Sequence, residues 1–524
     1  HVFYRIALPV VLVAAVVSWF WTPFAWSFLI LGPLFLLGVV DSLQRRQAVR
    51  RNFPVIGNLR YLFEAIRPEI SQYFIESNTD GKPFSRELRS IVYQRAKQQL
   101  QTVPFGTQHD LYQVGAEWVT HSLRARHPEN SEHRVRIGGP DVTQPYDAAL
   151  LNVSAMSFGS LSKNAIRALS AGAKAGGFYH NTGEGGLSPH HIAGGGDLVW
   201  QIGTGYFGCR NHDGSFNLER FSERARQEQV KMIEIKLSQG AKPGHGGILP
   251  AAKITPEIAE IRDVPMGQDV ISPPSHSAFE GPEGLLEFCQ TLREHSGGKP
   301  VGFKLCLGRR GEFLAVARAM RETGMCPDFI TVDGAEGGTG AAPLEFSNSV
   351  GWPLTEALLF IHNTLVGFGV RGRLKIIASG KIITGFHMAQ RLALGADLFN
   401  SARGMMFALG CIQARRCHSN ECPVGVATQD PHLVRGLDVE DKIRRVRHFQ
   451  QGTVHSFLEL LGAAGLSRPQ EIGPQHILRR ISDSEIRSYA EIYRFLEPGE
   501  LLEGDPPAPW DRLLSKSELR TKVG

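Results

Sequence analysis

Three cysteines and a histidine fall within Gly410-Cys-Ile-Gln-Ala-Arg-Arg-Cys-His-Ser-Asn-Glu-Cys-Pro-Val-Gly425, in the spacing C-x5-C-x4-C. Such a set could hold zinc, close a disulfide, present a redox nucleophile or ligate an iron–sulfur cluster. Zinc through three thiols and His418 would use adjacent residues, Cys417 and His418, where tetrahedral sites normally space their ligands apart. A disulfide would strand one thiol, and the other cysteines, Cys209, Cys289, Cys306 and Cys326, are scattered singly, unlike the framework of a secreted domain. Three thiols ending in Cys-Pro suit iron–sulfur ligation better, and the lack of a fourth nearby cysteine favours three irons over four.

Glycine runs form a second set: Ser157-Phe-Gly-Ser, Gly183-Glu-Gly-Gly, Gln239-Gly-Ala-Lys-Pro-Gly-His-Gly-Gly, Asp333-Gly-Ala-Glu-Gly-Gly-Thr-Gly, Ala378-Ser-Gly and Ser401-Ala-Arg-Gly. Without a Cβ, backbone N–H groups can approach an anion closely. Tight loops need glycine too, so the signal lies in several runs recurring at one end of a fold. Lysines form a third set. Lys236, Gln239 and Lys242 recur every three residues, and Lys304 stands inside Val-Gly-Phe-Lys-Leu-Cys. A lysine among apolar residues needs a partner: either an ion pair or the flavin edge that becomes anionic on reduction.

The elements that must position these groups alternate short β-branched runs with helical patterns from about residue 150 onward. Eight strands are expected, at Leu151 to Ser157, Phe178 to Thr182, Met232 to Leu237, Asp269 to Ser272, Val301 to Leu305, Phe329 to Val332, Leu374 to Ala378 and Asp397 to Ala402. Helices are expected at Lys163 to Ala175, Pro282 to Glu294, Glu312 to Thr323 and Gly385 to Leu394. This pattern predicts an α/β fold, a (β/α)8 TIM barrel, whose active site lies at the C-terminal strand ends and whose last two loops commonly hold a phosphate.

Flanking regions read differently. Residues Ile6 to Val40 carry no charge over 35 positions, and Trp21-Thr-Pro-Phe-Ala-Trp26 interrupts them. That predicts a transmembrane helical hairpin over 1–44, each helix slightly short of a full span, with tryptophans at the interface. A signal peptide or a buried hairpin would be the alternatives. Arg5 before it and Arg45, Arg46, Arg50 and Arg51 after it predict that both ends, and the catalytic domain, lie in the cytoplasm, with the hairpin as a multi-pass anchor in the inner membrane. A polar juxtamembrane and adaptor region follows over 45–140, with a helix at Ser85 to Gln101, then the barrel over 141–430. A helical extension is expected over 431–524, with amphipathic segments at Val439 to Leu461 and Asp483 to Phe495, and a Pro-rich tail. The net charge of +6 from 57 Lys+Arg and 51 Asp+Glu is too small over 524 residues to indicate nucleic acid.

Met156-Ser-Phe-Gly-Ser-Leu-Ser162, Thr182-Gly-Glu-Gly-Gly186, Glu234-Ile-Lys-Leu-Ser-Gln-Gly-Ala-Lys-Pro-Gly244, Ile271-Ser-Pro-Pro274, Gly337-Gly-Thr-Gly-Ala-Ala-Pro343 and the cysteine stretch with Val426-Ala-Thr-Gln429 together resemble the FMN-binding synthase domain of glutamate synthases. The resemblance runs over about 150 to 480. It implies a barrel that binds FMN and a [3Fe–4S] cluster and reduces 2-iminoglutarate, formed from 2-oxoglutarate and ammonia, to L-glutamate. It implies Cys411, Cys417 and Cys422 as cluster ligands, Lys242, Glu184 and Gln239 as catalytic residues, and Lys236, Arg262, Gln239 and Lys242 at the substrate. Met156, Ser157, Lys304, Gly338, Ser379, Gly380, Arg403 and Gly404 would contact the flavin, the last residues near its phosphate.

Two positions depart from the family pattern: His245 replaces a glutamate in Lys242-Pro-Gly-His-Gly-Gly247, and Ser277 replaces a histidine in Ser272-Pro-Pro-Ser-His-Ser277. A different keto acid, imine or amine, with quinone or a protein as the electron partner, is therefore an alternative, and a flavin-binding sensor or scaffold in a membrane complex is a non-enzymatic one. With neither an amidotransferase nor a nicotinamide module in the sequence, ammonia is expected from solution or another chain, and electrons from a donor protein or membrane carrier. A symmetric homo-oligomer is the general expectation for such an enzyme.

Overall fold

The computed structural model describes residues 2–99, 102–127, 133–502 and 505–515. They fall into two compact units, His1–Glu87 and Leu88–Gly524. In the first, α1 (Val2–Phe20) and α2 (Phe28–Leu43) form a hairpin about the turn Thr22–Ser27. Gly38 lets the helices close, since a Cβ there would collide with the Phe3 ring, and the Tyr4 and Ser42 hydroxyls share a 2.6 Å hydrogen bond. The spans Val2–Phe20 and Thr22–Leu43 are long and apolar enough to cross a membrane, and only 6% of each is buried. Most of their surface is thus uncovered by the described residues of this chain. After them come α3 (Ala48–Asn52) and α4 (Gly57–Ile70). The helix expected over Ser85 to Gln101 is α5 (Arg86–Ala96); residues 100 and 101 lie outside the described residues.

The second unit is built around a closed barrel of eight parallel strands: β1 (Leu151–Val153), β2 (His180–Asn181), β3 (Leu198–Ile202), β4 (Val230–Lys236), β5 (Val301–Leu305), β6 (Phe329–Asp333), β7 (Lys375–Ser379) and β8 (Leu398–Ser401). Each strand pairs with its neighbour in sequence, and β8 closes on β1 through Phe399↔Leu151 and Ser401↔Val153. The intervening helices are set by local signals. In α6 (Lys163–Gly176), Ser162 caps the N-terminus by accepting from Ala165 N–H, and Gly177, at φ 70°, takes the left-handed C-cap. The outer ring packs apolar stripes against the strands; Leu169, Leu314, Leu358 and Met388 have no exposed surface.

Two expected elements are different in the structure, and one barrel strand was not expected. Asp269 to Ser272 is not a barrel strand; Val270–Ile271 pairs antiparallel with Ile248–Leu249 in a small ribbon. The barrel strand in its place is β3, Leu-Val-Trp-Gln-Ile, buried throughout, which was not among the eight expected. Asp483 to Phe495 is not an amphipathic helix but a strand, Ile486–Ser488, followed by the short helix Tyr489–Ile492. That strand joins Ile477–Arg480 and Glu117–Val119 in a three-stranded antiparallel sheet. The helix expected at Val439 to Leu461 is present as Val439–Ala463. The Pro-rich tail is held by Trp510, which stacks on Phe360 at 5.5 Å and donates to Thr364 Oγ1.

Candidate active site

Polar side chains fill the upper interior of the barrel. Glu234 on β4 is 1% exposed and accepts from Asn181 Nδ2 at 2.7 Å, Gln201 Nε2 at 2.6 Å and Thr331 Oγ1 at 2.6 Å, so strands β2, β3 and β6 all bond to one carboxylate. Toward the C-terminal ends, Lys236 and Lys304 are register partners on β4 and β5. Two buried ammonium groups side by side would repel, and each has its own carboxylate. Lys236 Nζ lies 2.7 Å from Glu184 Oε1, and Lys304 Nζ lies 3.1 Å from Asp333 Oδ2. Burial lowers the tendency of Lys304 to stay charged, but Asp333, Glu234 and Glu184 outweigh it and its pKa is raised. Burial also opposes ionisation of Glu184, yet Lys236, Lys242 and Arg262 hold its carboxyl below the usual range.

Above this layer opens a cleft whose void, counted out into the solvent at its mouth, is about 950 Å³. Its lining brings together Met156, Ser157, Glu184, Gln239, Lys242, Arg262, Gly338, Arg403 and Cys417 from the expected residues. Lys236, Lys304, Ser379, Gly380, Gly404, Cys411 and Cys422 do not line it. Lys236 meets it through Glu184. Ser379 and Gly380 end β7, where Ser379 O accepts from Gly334 N–H at 2.8 Å and Gly380 sits at φ 143°. Gly404 is packed against Ser401 and Phe449, with no room for a Cβ.

The loop wall of the cavity is strongly cationic. Lys242 donates to Ala341 O at 3.2 Å, and Arg262 Nη2 donates to Phe158 O at 3.0 Å while its guanidinium lies 5.3 Å from the centroid of the Phe207 ring. Both are nearly fully buried, and neither forms an ion pair among the described residues. Arg262 Nε is buried without a hydrogen-bond partner. Burial pulls Lys242 down to about 8, against the attraction of Glu184, and pulls Arg262 down to about 10, again against Glu184. Arg403 Nη2 donates to Thr339 O at 2.6 Å, and the guanidinium fills the space beside Gly338 that a Cβ would need.

These features fit an anionic flavin phosphate and a carboxylate ligand. Gly338 and Gly340, in the loop after β6, line the cavity beside Arg403, where the lack of a Cβ permits close approach of an anion to the backbone. Arg262 holds a buried donor in reserve. For a cluster, the fit is one of chemistry. The 411–422 loop supplies three thiols, and Cys411 Sγ accepts from Gln413 N–H at 3.5 Å. Burial pushes the Cys411 thiol up to about 11, Cys417 and Cys422 add to it, and Gln413 N–H and Arg403 oppose it. Among the described residues, no three His, Cys, Asp or Glu side chains stand close enough to share a metal ion.

Two cavity residues escaped the sequence reading. Lys253, 2% exposed, donates to Ser160 O at 2.9 Å. Burial lowers it to about 8, and Cys417 and Cys422 work to raise it, so it stands between the cavity and the cysteine loop. Asn420 Nδ2 donates to Ala252 O at 3.1 Å and fastens that loop to the same wall. The second is Gln201, facing the cavity from β3 while bonded to Glu234. The criterion that marks Lys304, a polar side chain inside an apolar run, applies equally to Lys253 in Leu249-Pro-Ala-Ala-Lys-Ile254 and to Gln201 in Leu-Val-Trp-Gln-Ile.

The model of the "Conserved region in glutamate synthase" matches residues 119–467. The glutamate synthase large subunit-like protein YerD of Bacillus subtilis is 37% identical over 521 residues, 92% of this chain and 95% of that protein. The archaeal glutamate synthase (NADPH) of Methanocaldococcus jannaschii is 36% identical over 335 residues, covering 64% of this chain and 62% of that one. The archaeal-type enzyme of Thermotoga maritima is 34% identical over 330 residues, 63% and 62% of the two chains. A solved mandelate oxidase structure is more distant, at 15% identity and a TM-score of 0.41 over 82% of this chain and 96% of that one. The match of the family model over the barrel, joined to YerD over nearly the full length of both chains, places this chain in the glutamate synthase family.

Proposed function

We propose that this glutamate synthase-like oxidoreductase is a membrane-anchored FMN and iron–sulfur enzyme that reduces 2-iminoglutarate, formed from 2-oxoglutarate and ammonia, to L-glutamate. The observation that carries the reading is the cationic cavity at the C-terminal mouth of the barrel, where Lys242 and Arg262 face the same space as Glu184 and Gln239. Arg262 would take a substrate carboxylate through a planar fork whose Nε has no protein partner. Lys242, protonated below about 8, would polarise the carbonyl or imine. Glu184 is held ionised by Lys236, so it would orient the substrate nitrogen and take up a proton only as the neighbouring charge changes. Bound FMN would supply the hydride. Met156, Ser157, Gly338 and Arg403 would hold it from the cavity wall, and Lys304, Ser379, Gly380 and Gly404 would support that wall from behind. Cys411, Cys417 and Cys422 would ligate a [3Fe–4S] cluster that relays electrons.

The α1–α2 hairpin would anchor the enzyme, with the barrel in the cytoplasm, and a donor protein or membrane carrier would deliver the electrons. His245 favours one alternative. It stands in the substrate loop where the family has glutamate, with its ring 5.2 Å from Phe346, and the change replaces an anion with an aromatic surface. A different keto acid, imine or amine would follow from it. The test is to purify the full chain in detergent, record its visible and EPR spectra, and supply 2-oxoglutarate and ammonium with a reduced dye. Flavin and cluster signals with glutamate formed are expected. Both signals without glutamate would move the reading to the other substrate, and no flavin signal would overturn it.

A further inference from the structure

Helix α4, Gly57–Ile70, presents an apolar stripe that the fold leaves uncovered. Leu59, Leu62, Phe63, Ile66 and Ile70 recur at i, i+3, i+4, i+7 and i+11, which places them on one face, and each is between 36 and 60% exposed. Phe74 in the following turn, Ser71–Ile75, continues the stripe and is 84% exposed. Arg60 and Arg67 fall together along one edge, where long side chains can reach past an apolar boundary into polar surroundings. A soluble helix with this stripe would turn it into a core.

The position of α4 is tied to the hairpin within the same compact unit. Asp41, at the end of α2, is 2% exposed and accepts from Val55 N–H at 3.0 Å and from Asn58 Nδ2. Arg50 lies 3.7 Å from the same carboxylate and 2.5 Å from Asn58 Oδ1. The chain enters α4 through Val55 at φ 68°, a left-handed conformation that a β-branched residue adopts only under constraint. The start of α4 is thus clamped to the end of α2. Between Gln44 and Ile70 the sequence holds six arginines (Arg45, Arg46, Arg50, Arg51, Arg60 and Arg67) against Glu64 and Glu69, a balance that suits anionic headgroups.

We propose that α4 is an in-plane membrane helix, its apolar stripe seated between the headgroups and acyl chains of a lipid bilayer and Arg60 and Arg67 reaching the headgroup phosphates. An amphipathic helix with a basic edge and an aromatic-aliphatic face has this property generally. The inference rests on reading α1 and α2 as membrane-spanning, and it adds a second, lateral contact that would fix how the chain leaves the bilayer.

The test uses the full chain in nanodiscs of phosphatidylcholine with one third phosphatidylglycerol. Spin labels are attached through a genetically encoded handle, which leaves the seven native cysteines intact. Labels go at Leu62, Phe63 and Ile66 on the stripe, at Tyr61 and Ala65 opposite, and at Leu12 and Leu36 in the hairpin. Collisions with oxygen and with a water-soluble nickel chelate are then measured. Stripe labels are expected to favour oxygen several-fold and the opposite labels to favour nickel. Stripe labels shielded from both reagents would mean that protein, either the rest of this chain or a second copy, covers the face; stripe labels open to nickel would mean that nothing does. Either result overturns the proposal. The hairpin labels report on the anchor separately: if they show depth and the stripe does not, only the α4 inference fails.

Discussion

The strand-end layer and the loop wall of the cavity both bury cations, and they treat them in opposite ways. In the strand-end layer every lysine has a carboxylate: Lys236 with Glu184 and Lys304 with Asp333. On the loop wall, Lys242, Lys253 and Arg262 are just as buried and find only carbonyl oxygens, those of Ala341, Ser160 and Phe158. A buried charge without a counter-charge is costly unless something arrives to pair with it. Each cation of the layer therefore has a carboxylate of its own without a ligand, whereas Lys242 and Arg262 on the wall share only the more distant Glu184 and would gain most from a bound anion. Stability should reside in the first and ligand affinity in the second.

The largest effect should come from unbalancing the layer. Asp333→Asn would leave Lys304 without its counter-charge beside Lys236, while the amide oxygen could still accept the 2.9 Å bond from Gly240 N–H. Removing one partner of a buried pair typically costs about 3–5 kcal/mol. Urea unfolding followed through the barrel's circular dichroism should show a loss of that size. A loss below about 1 kcal/mol would mean that Lys304 is held for a ligand rather than for the fold, and the division between layer and wall would collapse.

The wall should respond the other way. Arg262→Met keeps much of the volume and removes an unbalanced guanidinium, so unfolding of the ligand-free protein should stay within about 1 kcal/mol of the parent. Catalytic efficiency toward an anionic keto acid should fall about 100-fold, the size of a lost charge-assisted fork. Arg262→Lys should recover little of it, because an ammonium cannot reproduce the planar pair of donors. Parallel losses of stability and efficiency in Arg262→Met would show that the residue is structural.

Much of this layout was readable from local sequence, and the failures share one cause. Glycine runs and in-strand lysines lie at the barrel's C-terminal ends because both the runs and the strands are local signals. Which strand pairs with which is not local. Val270–Ile271 has the composition of a strand and is one, but its partner is Ile248–Leu249, a pairing no short window contains. Strand β3 carries an inward Gln201 much as β5 carries Lys304, and what its own short run does not contain is the partner that fixes it, Glu234 on β4. Ile486–Ser488 likewise takes its conformation from Ile477–Arg480. The unbalanced wall was legible only in part: Lys242 and Arg262 stand in recognisable motifs, whereas Lys253 acquires its place from the three-dimensional approach of the cysteine loop.

The finest distinction between the two regions is in pH. Lys242 has its pKa lowered to about 8, with burial as the main cause, so the wall loses a cation as pH rises past that value. Efficiency toward an anionic substrate should be level below pH 8 and fall about tenfold per unit above it. Lys242→Arg, charged throughout, should abolish the inflection whatever its effect on the plateau. Lys253, also lowered to about 8, is the control: Lys253→Met should keep the inflection, and if it alone removes the break, the titrating cation has been misassigned. Stability runs in the opposite direction. Because the folded pKa lies below the lysine value of 10.5, the unfolded chain binds more protons between about pH 8 and 10.5, and the ligand-free protein gains stability across that window. Binding that weakens while the fold strengthens is the signature of a cation kept for a ligand. A fold that weakened along with binding over the same range would place Lys242 in the structural layer instead.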